Sequence, residues 1–345
     1  MTEKHYGGNA SFGAQGAMPK ANEKTSKAAV KTEAREAKTA SRKTDKDDFE
    51  DYRKAGRIAK QAVEYAKSII KKGMPLLDAA EKIENKIIEL GGKPAFPINL
   101  CINDIAAHYT PSHNDETCAS GLLKVDIGVH VNGAIADTAF SIDLAENREE
   151  SEKNKKLIQA SEEALSNAIK LIVEKKGKSE LGSIGKAIQD SIEKFGFSPI
   201  KNLCGHELGS YIVHSGCTIP NYDNKNANPI DDGAYAIEPF ATAGQGVVYD
   251  GKPSGIYRLQ ERKAIRDALA RDILNYAEQE YRTLPFCERW IVKKFGTRAL
   301  LSLRYLEQAG ILHHFPQLVE KSHMPVSQAE HTIAVSKEKA EVTTE

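Results

Sequence analysis

Two aspartates on either side of an Asn-Gly dipeptide at 132–133 constrain this chain more than any other feature of its sequence. Residues 124–142 alternate apolar and polar side chains, and Asn-Gly favours a two-residue hairpin turn, so the segment is predicted to form two antiparallel strands. With the turn at this dipeptide, Gly128 lies opposite Asp137, and the period of two puts Asp126 on the same face. The two carboxylates are then diagonal neighbours, about 7–8 Å apart at the backbone.

The opposite face of the predicted hairpin is apolar and is expected to lie against a core. It carries Val125, Ile127, Val129, Val131, Phe140 and Ile142. Two acids that face each other above such a sheet repel unless a cation lies between them. A pair of divalent metal ions about 3.5–4 Å apart fits this gap. The hairpin alone leaves the metal role open, because aspartates beside a turn are often solvated edge residues.

Composition favours a soluble intracellular protein. The chain has 345 residues, 40% of them apolar, which is enough for one large domain or two modest ones. Five scattered cysteines without a C-x-x-C pair indicate reduced thiols in a cytosolic protein. The sequence has neither a signal-peptide apolar region nor a run of 18 apolar residues. We expect a cytoplasmic monomer that does not bind membranes.

Residues 1–47 hold almost no large apolar side chains and are predicted to be a disordered basic tail. From residue 48 onward, two helices followed by strands occur twice, which predicts an α+β fold with two similar halves around one sheet. A helical block at 258–325 precedes a final strand region. We therefore predict one domain from 48–257 and 326–345, interrupted by a helical, winged-helix-like insertion at 258–325.

Three further residues are candidate metal ligands: His206, Glu238 and Glu330. Glu238 and Glu330 each stand among strand-forming apolar residues, where an acid is costly to bury unless it is paired or coordinated. Four carboxylates and one imidazole are a set rich in hard oxygen donors. Such a set favours manganese, iron, cobalt or zinc in an open site over a closed cysteine zinc site.

The order of these motifs resembles that of the methionine aminopeptidases. The motifs are His108-Tyr-Thr-Pro, the hairpin with Asp126 and Asp137, Gly205-His206 with His214 eight residues on, Ala236-Ile-Glu238-Pro-Phe, and Ala329-Glu330-His-Thr-Ile. The helical insertion resembles that of the type 2 enzymes, and Glu-Pro-Phe resembles their archaeal members. The resemblance runs from about residue 50 to the C terminus, so the Lys-rich tail is an extension to it. It implies the pita-bread fold, with two pseudo-symmetric halves.

The resemblance also implies a site with two divalent metal ions, without fixing their identity among cobalt, manganese, iron and zinc. Asp126 and Asp137 would hold one ion, and Asp137 and Glu330 would bridge to the second. His206 and Glu238 would complete the second coordination set.

Catalytic and substrate-binding roles follow from the same resemblance. The metals would activate a water molecule for attack on the scissile carbonyl, with Glu238 as proton shuttle. His214 would contact the peptide and stabilise the tetrahedral intermediate, and His108 would line the entrance for the substrate. Phe96 matches an aromatic residue of the pocket for the methionine side chain. The chain departs from the eukaryotic pattern at Ile256, where those enzymes tend to carry a histidine.

The implied function is removal of the initiator methionine from nascent polypeptides when the second residue is small. Two alternatives stay open: a non-catalytic homologue that binds RNA or ribosomes, and an X-Pro peptidase of the same fold. The basic tail could contact ribosomal RNA electrostatically, and the weakly basic insertion could contact RNA or form a wall of the substrate pocket. Among the other histidines, we expect His130 to be structural and His331 to point away from the metals. His313, His314 and His323 are expected at the surface.

Overall fold

The computed structural model of the protein describes residues 48–336 and 339–345. The predicted disordered tail, residues 1–47, lies outside these described residues, so its disorder stays a prediction. None of the helices in the described part combines the length and apolar character that crossing a lipid bilayer requires.

The first half of the fold begins with helices α1 (Asp48–Ile69) and α2 (Leu76–Glu89). Five strands follow: β1 (Lys93–Pro94), β2 (Asn99–Ile102), β3 (Ile105–Ala107), β4 (Gly121–Val131) and β5 (Ala134–Leu144). Both helices are amphipathic and bury alanine, isoleucine and leucine side chains against the apolar face of β4 and β5. The predicted core face of the hairpin belongs to this cluster.

The second half repeats the scheme with helices α3 (Arg148–Glu174) and α4 (Leu181–Lys194). The Asn147 side chain caps α3 by accepting a hydrogen bond from the Glu150 backbone N–H at 3.0 Å. Six strands follow: β6 (Ser198–Pro199), β7 (Cys204–Leu208), β8 (Thr218–Pro220), β9 (Gly233–Ile237), β10 (Phe240–Thr242) and β11 (Val248–Leu259). The predicted pair of similar halves is therefore present.

The segment predicted as a helical insertion is helical over most of its length. It contains helices α5 (Ala268–Glu280), α6 (Glu288–Phe295) and α7 (Ala299–Gln308), with the short strand β12 (Phe286–Cys287) between α5 and α6. The expectation of helix is wrong for its last part, which forms strand β13 (Leu312–Glu320). This strand lies between β11 and β3 in the sheet ordered β12-β11-β13-β3, and the local sequence pattern does not reveal these backbone partners. The domain boundaries themselves stay a prediction.

The chain ends in strands β14 (Val326–Gln328), β15 (His331–Ser336) and β16 (Lys339–Val342). The final strands return to the main fold, as predicted, because β15 pairs with β9 in the sheet ordered β16-β15-β9-β7-β8. The hairpin β4–β5 belongs to a second sheet, in which β4 lies between β1 and β2 and also pairs with β5. A backbone bridge between Ala139 and Glu330 joins these two sheets.

Candidate metal centre

The hairpin has the predicted register and brings its two aspartates to one face. Gly128 lies opposite Asp137, and the turn residues Asn132 and Gly133 have φ angles of 52° and 94°, which a type I′ turn requires. Asp126 on β4 and Asp137 on β5 both line a cavity of about 200 Å³. We call it the acid-lined cavity.

All five predicted metal ligands line the acid-lined cavity: Asp126, Asp137, His206, Glu238 and Glu330. Potential ligand atoms of Asp137, His206 and Glu330 lie within 4.8 Å of one another. The His206 Nε2 atom lies 3.8 Å from Asp137 Oδ2 and 3.4 Å from Glu238 Oε1. The structure thus brings together side chains that are up to about two hundred residues apart in the sequence.

Backbone contacts hold the acids in place. The Thr332 hydroxyl lies 2.7 Å from the Asp137 backbone nitrogen and donates to the Asp137 carbonyl oxygen at 2.8 Å. The Thr138 hydroxyl donates to the Glu330 carbonyl at 2.9 Å. Asn221 holds the segment after β9 by donating to the Glu238 carbonyl at 3.2 Å. These contacts join β5 to β15 and to Glu330, which lies between β14 and β15, and they join the segment after β8 to the segment after β9.

Burial controls the protonation of these groups. It raises the pKa of Asp126 to about 7. Burial and the neighbouring carboxylates together raise the pKa values of Asp137, Glu238 and Glu330 well above their ordinary range. Burial lowers the pKa of His206 to about 4, so its imidazole is neutral at pH 7 and its contacts with acids are not ion pairs. Cations bound among the acids would offset the cost of burial and the mutual repulsion of the carboxylates. A neutral imidazole is the form of histidine that binds a metal.

The three residues predicted to meet the substrate also line the acid-lined cavity: Phe96, His108 and His214. The His214 ring centroid lies 4.3 Å from that of His206. Burial lowers the pKa values of His108 and His214, so both are neutral at pH 7. His108 Nδ1 lies 3.2 Å from the Pro316 carbonyl oxygen, which fixes Nδ1 as the protonated nitrogen. His108 Nε2 is then an acceptor.

Sequence reasoning missed several residues of the same cavity. Gln328 Nε2 lies 3.4 Å from Asp126 Oδ2 and 3.5 Å from Glu330 Oε2, so its amide links two of the acids. Strand alternation from Glu330 would have indicated it, since it lies two positions earlier. Asn99 and Cys204 also line the cavity, as does Ile256, the position where the chain departs from the eukaryotic pattern.

The insertion contributes to the cavity wall. Pro285, Phe315 and Leu318 line the acid-lined cavity, and all three lie within residues 258–325. This placement agrees with the expectation that the segment forms a wall of the pocket.

The other histidines of the described residues lie outside the cavity, but not all of them are at the surface. The expectation is wrong for His314, whose ring stacks on Tyr257 at 4.2 Å and accepts from the Gly255 backbone N–H at 3.0 Å. His313 is half-buried on β13, whereas His323 is exposed. A further two have contacts that agree with structural roles. His130 is buried with its ring 5.4 Å from that of Tyr211, and His331 Nδ1 lies 2.9 Å from the Thr344 hydroxyl.

Comparison with known proteins identifies the family. The family model of metallopeptidase family M24 matches residues 50–267. A methionine aminopeptidase of Methanocaldococcus jannaschii is 43% identical over 299 residues, which span 86% of this chain and 98% of that protein. The chain belongs to metallopeptidase family M24. Its resemblance to the archaeal methionine aminopeptidases is confirmed over nearly the whole length of this relative, so the chain is a metal-dependent exopeptidase.

Solved structures confirm the pita-bread fold. A thermophilic Arx1 matches with a TM-score of 0.74 at 15% identity, covering 86% of this chain and 90% of that one. A methionine aminopeptidase of Thermotoga maritima matches with a TM-score of 0.62 at 21% identity, covering 88% of this chain and 99% of that one. At such identities the likeness concerns the fold alone.

Proposed function

We propose that this chain removes N-terminal methionine from peptides and nascent polypeptides whose second residue is small, and that two divalent metal ions in the acid-lined cavity are required. The observation that carries this proposal is the convergence of five potential ligands, two neutral histidines and Phe96 on one buried cavity. The archaeal relative named methionine aminopeptidase supports the choice of substrate.

The donor set fits a pair of hard or borderline divalent ions. Asp126 Oδ1 and Asp137 Oδ1 are buried, and neither has a hydrogen-bond partner among the described residues. Buried acceptors without donors are costly, and coordination satisfies them. When bound, the ions would polarise the scissile carbonyl and lower the pKa of water, with manganese, iron, cobalt and zinc all compatible. Asp126 and Asp137 would hold one ion, and Asp137, Glu330, His206 and Glu238 the other.

The chain's own side chains would handle the proton and the developing charge. Glu238 lines the cavity with its Oε1 atom 3.4 Å from His206 Nε2, and a carboxylate at this position can accept a proton and pass it to the leaving amine. His214 is neutral and can donate a hydrogen bond to the carbonyl oxygen as that atom gains negative charge. His108, with Nδ1–H held by a backbone carbonyl, would contact the peptide through its other ring nitrogen.

The cavity walls would select the first side chain. Phe96, Ile256 and Phe315 offer apolar surface for a methionine thioether, and aromatic rings make favourable contacts with sulfur. The cavity is small, at about 200 Å³. A bulky second residue would hinder entry, which supports a preference for a small one.

The specificity test compares three peptides under identical metal supplementation. The proposal predicts release of methionine from Met-Ala-Ser, much slower release from Met-Lys-Ser, and no cleavage of Ala-Pro peptides. Preferred cleavage of Ala-Pro would instead support the X-Pro peptidase. No cleavage of any peptide at saturating metal would support a non-catalytic binding protein.

We also propose that the basic tail is a cytoplasmic tether to ribosomes. Between residues 20 and 46 it carries nine lysine or arginine residues against four acids, and such an excess attracts phosphate in a salt-dependent way. Removing residues 1–47 is expected to weaken co-sedimentation with ribosomes at low salt and to leave peptide hydrolysis unchanged. Equal co-sedimentation of both proteins would eliminate the tether.

A further inference from the structure

Asn99 occupies a position in the acid-lined cavity to which the proposed chemistry assigns no role. It lies on β2, and its direct partner on the neighbouring strand β4 is Asp126. Directly opposed residues in an antiparallel pair have side chains about 4.5–5.5 Å apart at Cβ. Asn99 is only 4% exposed, so a buried polar side chain lies beside Asp126, whose Oδ1 atom is also buried.

The contacts of Asn99 fix which way its amide points. Its Nδ2 atom donates to the Pro97 carbonyl oxygen at 2.9 Å, and only the amino end of the amide can make that bond. Its Oδ1 atom is therefore the free end. This oxygen is buried and, within residues 48–336 and 339–345, meets no hydrogen-bond donor. A buried acceptor without a donor costs free energy, so the arrangement calls for a ligand.

The neighbouring acid has a similar free atom. Gln328 lies 3.4 Å from Asp126 Oδ2, whereas Asp126 Oδ1 is buried without a donor in the described part of the chain. Coordination of a metal ion would satisfy the free Oδ1 atom of Asp126. It does not account for the amide oxygen of Asn99, because the proposed ligand set is complete without it.

We propose that Asn99 Oδ1 accepts a hydrogen bond from the α-ammonium group of the substrate and so helps the cavity to recognise a free N terminus. This inference rests on the proposed aminopeptidase activity. An ammonium group has three N–H donors and no acceptor, so it complements the unpaired oxygen beside Asp126. A neutral amide supplies that acceptor without adding another negative charge to the four acids already present. Asn99 would thus be a substrate-binding residue that distinguishes an exopeptidase substrate from an internal peptide bond.

The test compares two inhibitors that differ only in this group: methionine amide, and its des-amino analogue with hydrogen in place of the ammonium. Inhibition constants are measured on metal-loaded wild type, Asn99→Leu and Asn99→Asp. Hydrogen bonds to charged groups are worth a factor of about 10 to 100 in affinity. Asn99→Leu is therefore expected to weaken methionine amide by about that factor and to leave the des-amino analogue unchanged. Asn99→Asp keeps an acceptor oxygen and is expected to retain the preference for the amine.

Calorimetric titration with Mn²⁺ supplies the control for indirect effects. Asn99→Leu is expected to bind Mn²⁺ with wild-type affinity. Any of three results would overturn the inference. Asn99→Leu could keep the wild-type preference for the amine, or Asn99→Asp could lose it. In the third, the Mn²⁺ affinity of Asn99→Leu falls by as much as its preference for the amine. Failure of the proposed function looks different, because wild type itself would then hydrolyse no methionine peptide.

Discussion

Glu330 lies where its charge is costly unless a cation is beside it. It is 1% exposed, and burial together with Asp137, Glu238 and Asp126 raises its pKa well above 4.5. In the metal-free protein, the folded state therefore holds a proton that the unfolded state releases above pH 4.5. Stability from this group falls as pH rises, because the folded state binds more protons than the unfolded state. A metal ion bound beside Glu330 would instead favour the charged form and so stabilise the folded state at higher pH.

Glu330→Gln is expected to reveal this linkage. In the metal-free proteins, the melting temperature of the variant is expected to exceed that of wild type by a margin that grows as pH rises above 4.5. With saturating Mn²⁺, wild type is expected to have the higher melting temperature, because the variant has lost a proposed bridging ligand. The peptidase activity of the variant is expected to be abolished. The matched control is Asp190→Asn, which removes an exposed acid that pairs with Lys186 at 2.7 Å. A pH-independent difference in melting temperature would contradict the linkage.

His214 is expected to act on the rate rather than on binding. Its proposed hydrogen bond strengthens only as charge develops on the carbonyl oxygen. His214→Ala is therefore expected to lower kcat by about 10²–10³ with little change in KM, as for the loss of one oxyanion donor. Steady-state kinetics on Met-Ala-Ser measures both constants. A variant with only a raised KM would show that His214 merely holds the substrate.

The hairpin β4–β5 connects the candidate metal centre to the wall of the acid-lined cavity. A Cβ atom added at Gly128 would lie 2.3 Å from the nearest atom of the Phe96 ring, which is closer than two non-bonded carbon atoms can approach. The same strand carries Asp126 two residues earlier. One strand therefore supplies a proposed ligand and supports the aromatic ring that lines the cavity.

Gly128→Ala is expected to displace the Phe96 ring and raise KM for methionine peptides, with Mn²⁺ affinity retained because the ligands do not move. Gly233→Ala on β9 is the control, since its added Cβ would meet the nearest atom at an ordinary 3.4 Å. Kinetics and Mn²⁺ titration of both variants test the expectation. Equal kinetics in the two variants would show that the contact between Gly128 and Phe96 does not shape the pocket.

Local signals explain what could be predicted from the sequence. The hairpin register followed from Asn132-Gly133 and from strict alternation, which are properties of neighbouring residues. Only the family resemblance indicated that Phe96 lines the pocket. The sequence does not single out Asn99, because its position in the cavity depends on which strand lies beside it. Strand β13 was missed for the same reason, since its pairing with β11 and β3 is a tertiary contact.

Across the whole molecule, a buried ion pair fastens the insertion to the first half. Arg289 on α6 donates to both carboxylate oxygens of Glu84 on α2, at 2.7 and 2.9 Å. Its Nε atom donates to the Pro111 carbonyl at 3.0 Å, and the Trp290 indole donates to Glu84 at 2.9 Å. Pro111 ends the His108-Tyr-Thr-Pro motif, so this cluster joins the insertion to a loop that lines the cavity.

Arg289→Met is expected to destabilise the protein by about 3–5 kcal/mol, because it leaves the Glu84 charge buried without its partner. Lys293→Met on the same helix is the control. Lys293 is exposed and lies 3.8 Å from Glu81, and such surface pairs contribute about 0–1 kcal/mol. Urea unfolding of both variants measures the difference. Similar losses in the two variants would contradict the anchoring role of Arg289.

The proposed hydrolysis depends on metal ions held by the four acids and His206 of the acid-lined cavity. It is tested most directly by the rate of methionine release from Met-Ala-Ser, measured after chelator treatment and again after adding Mn²⁺, for wild type and Asp137→Asn. Wild type is expected to lose activity with the metal and to regain it with Mn²⁺, whereas folded Asp137→Asn stays inactive at saturating Mn²⁺. The dependence on metal is contradicted if metal-free wild type hydrolyses the peptide at an undiminished rate. The role of Asp137 is contradicted if Asp137→Asn turns over the peptide at nearly the wild-type rate.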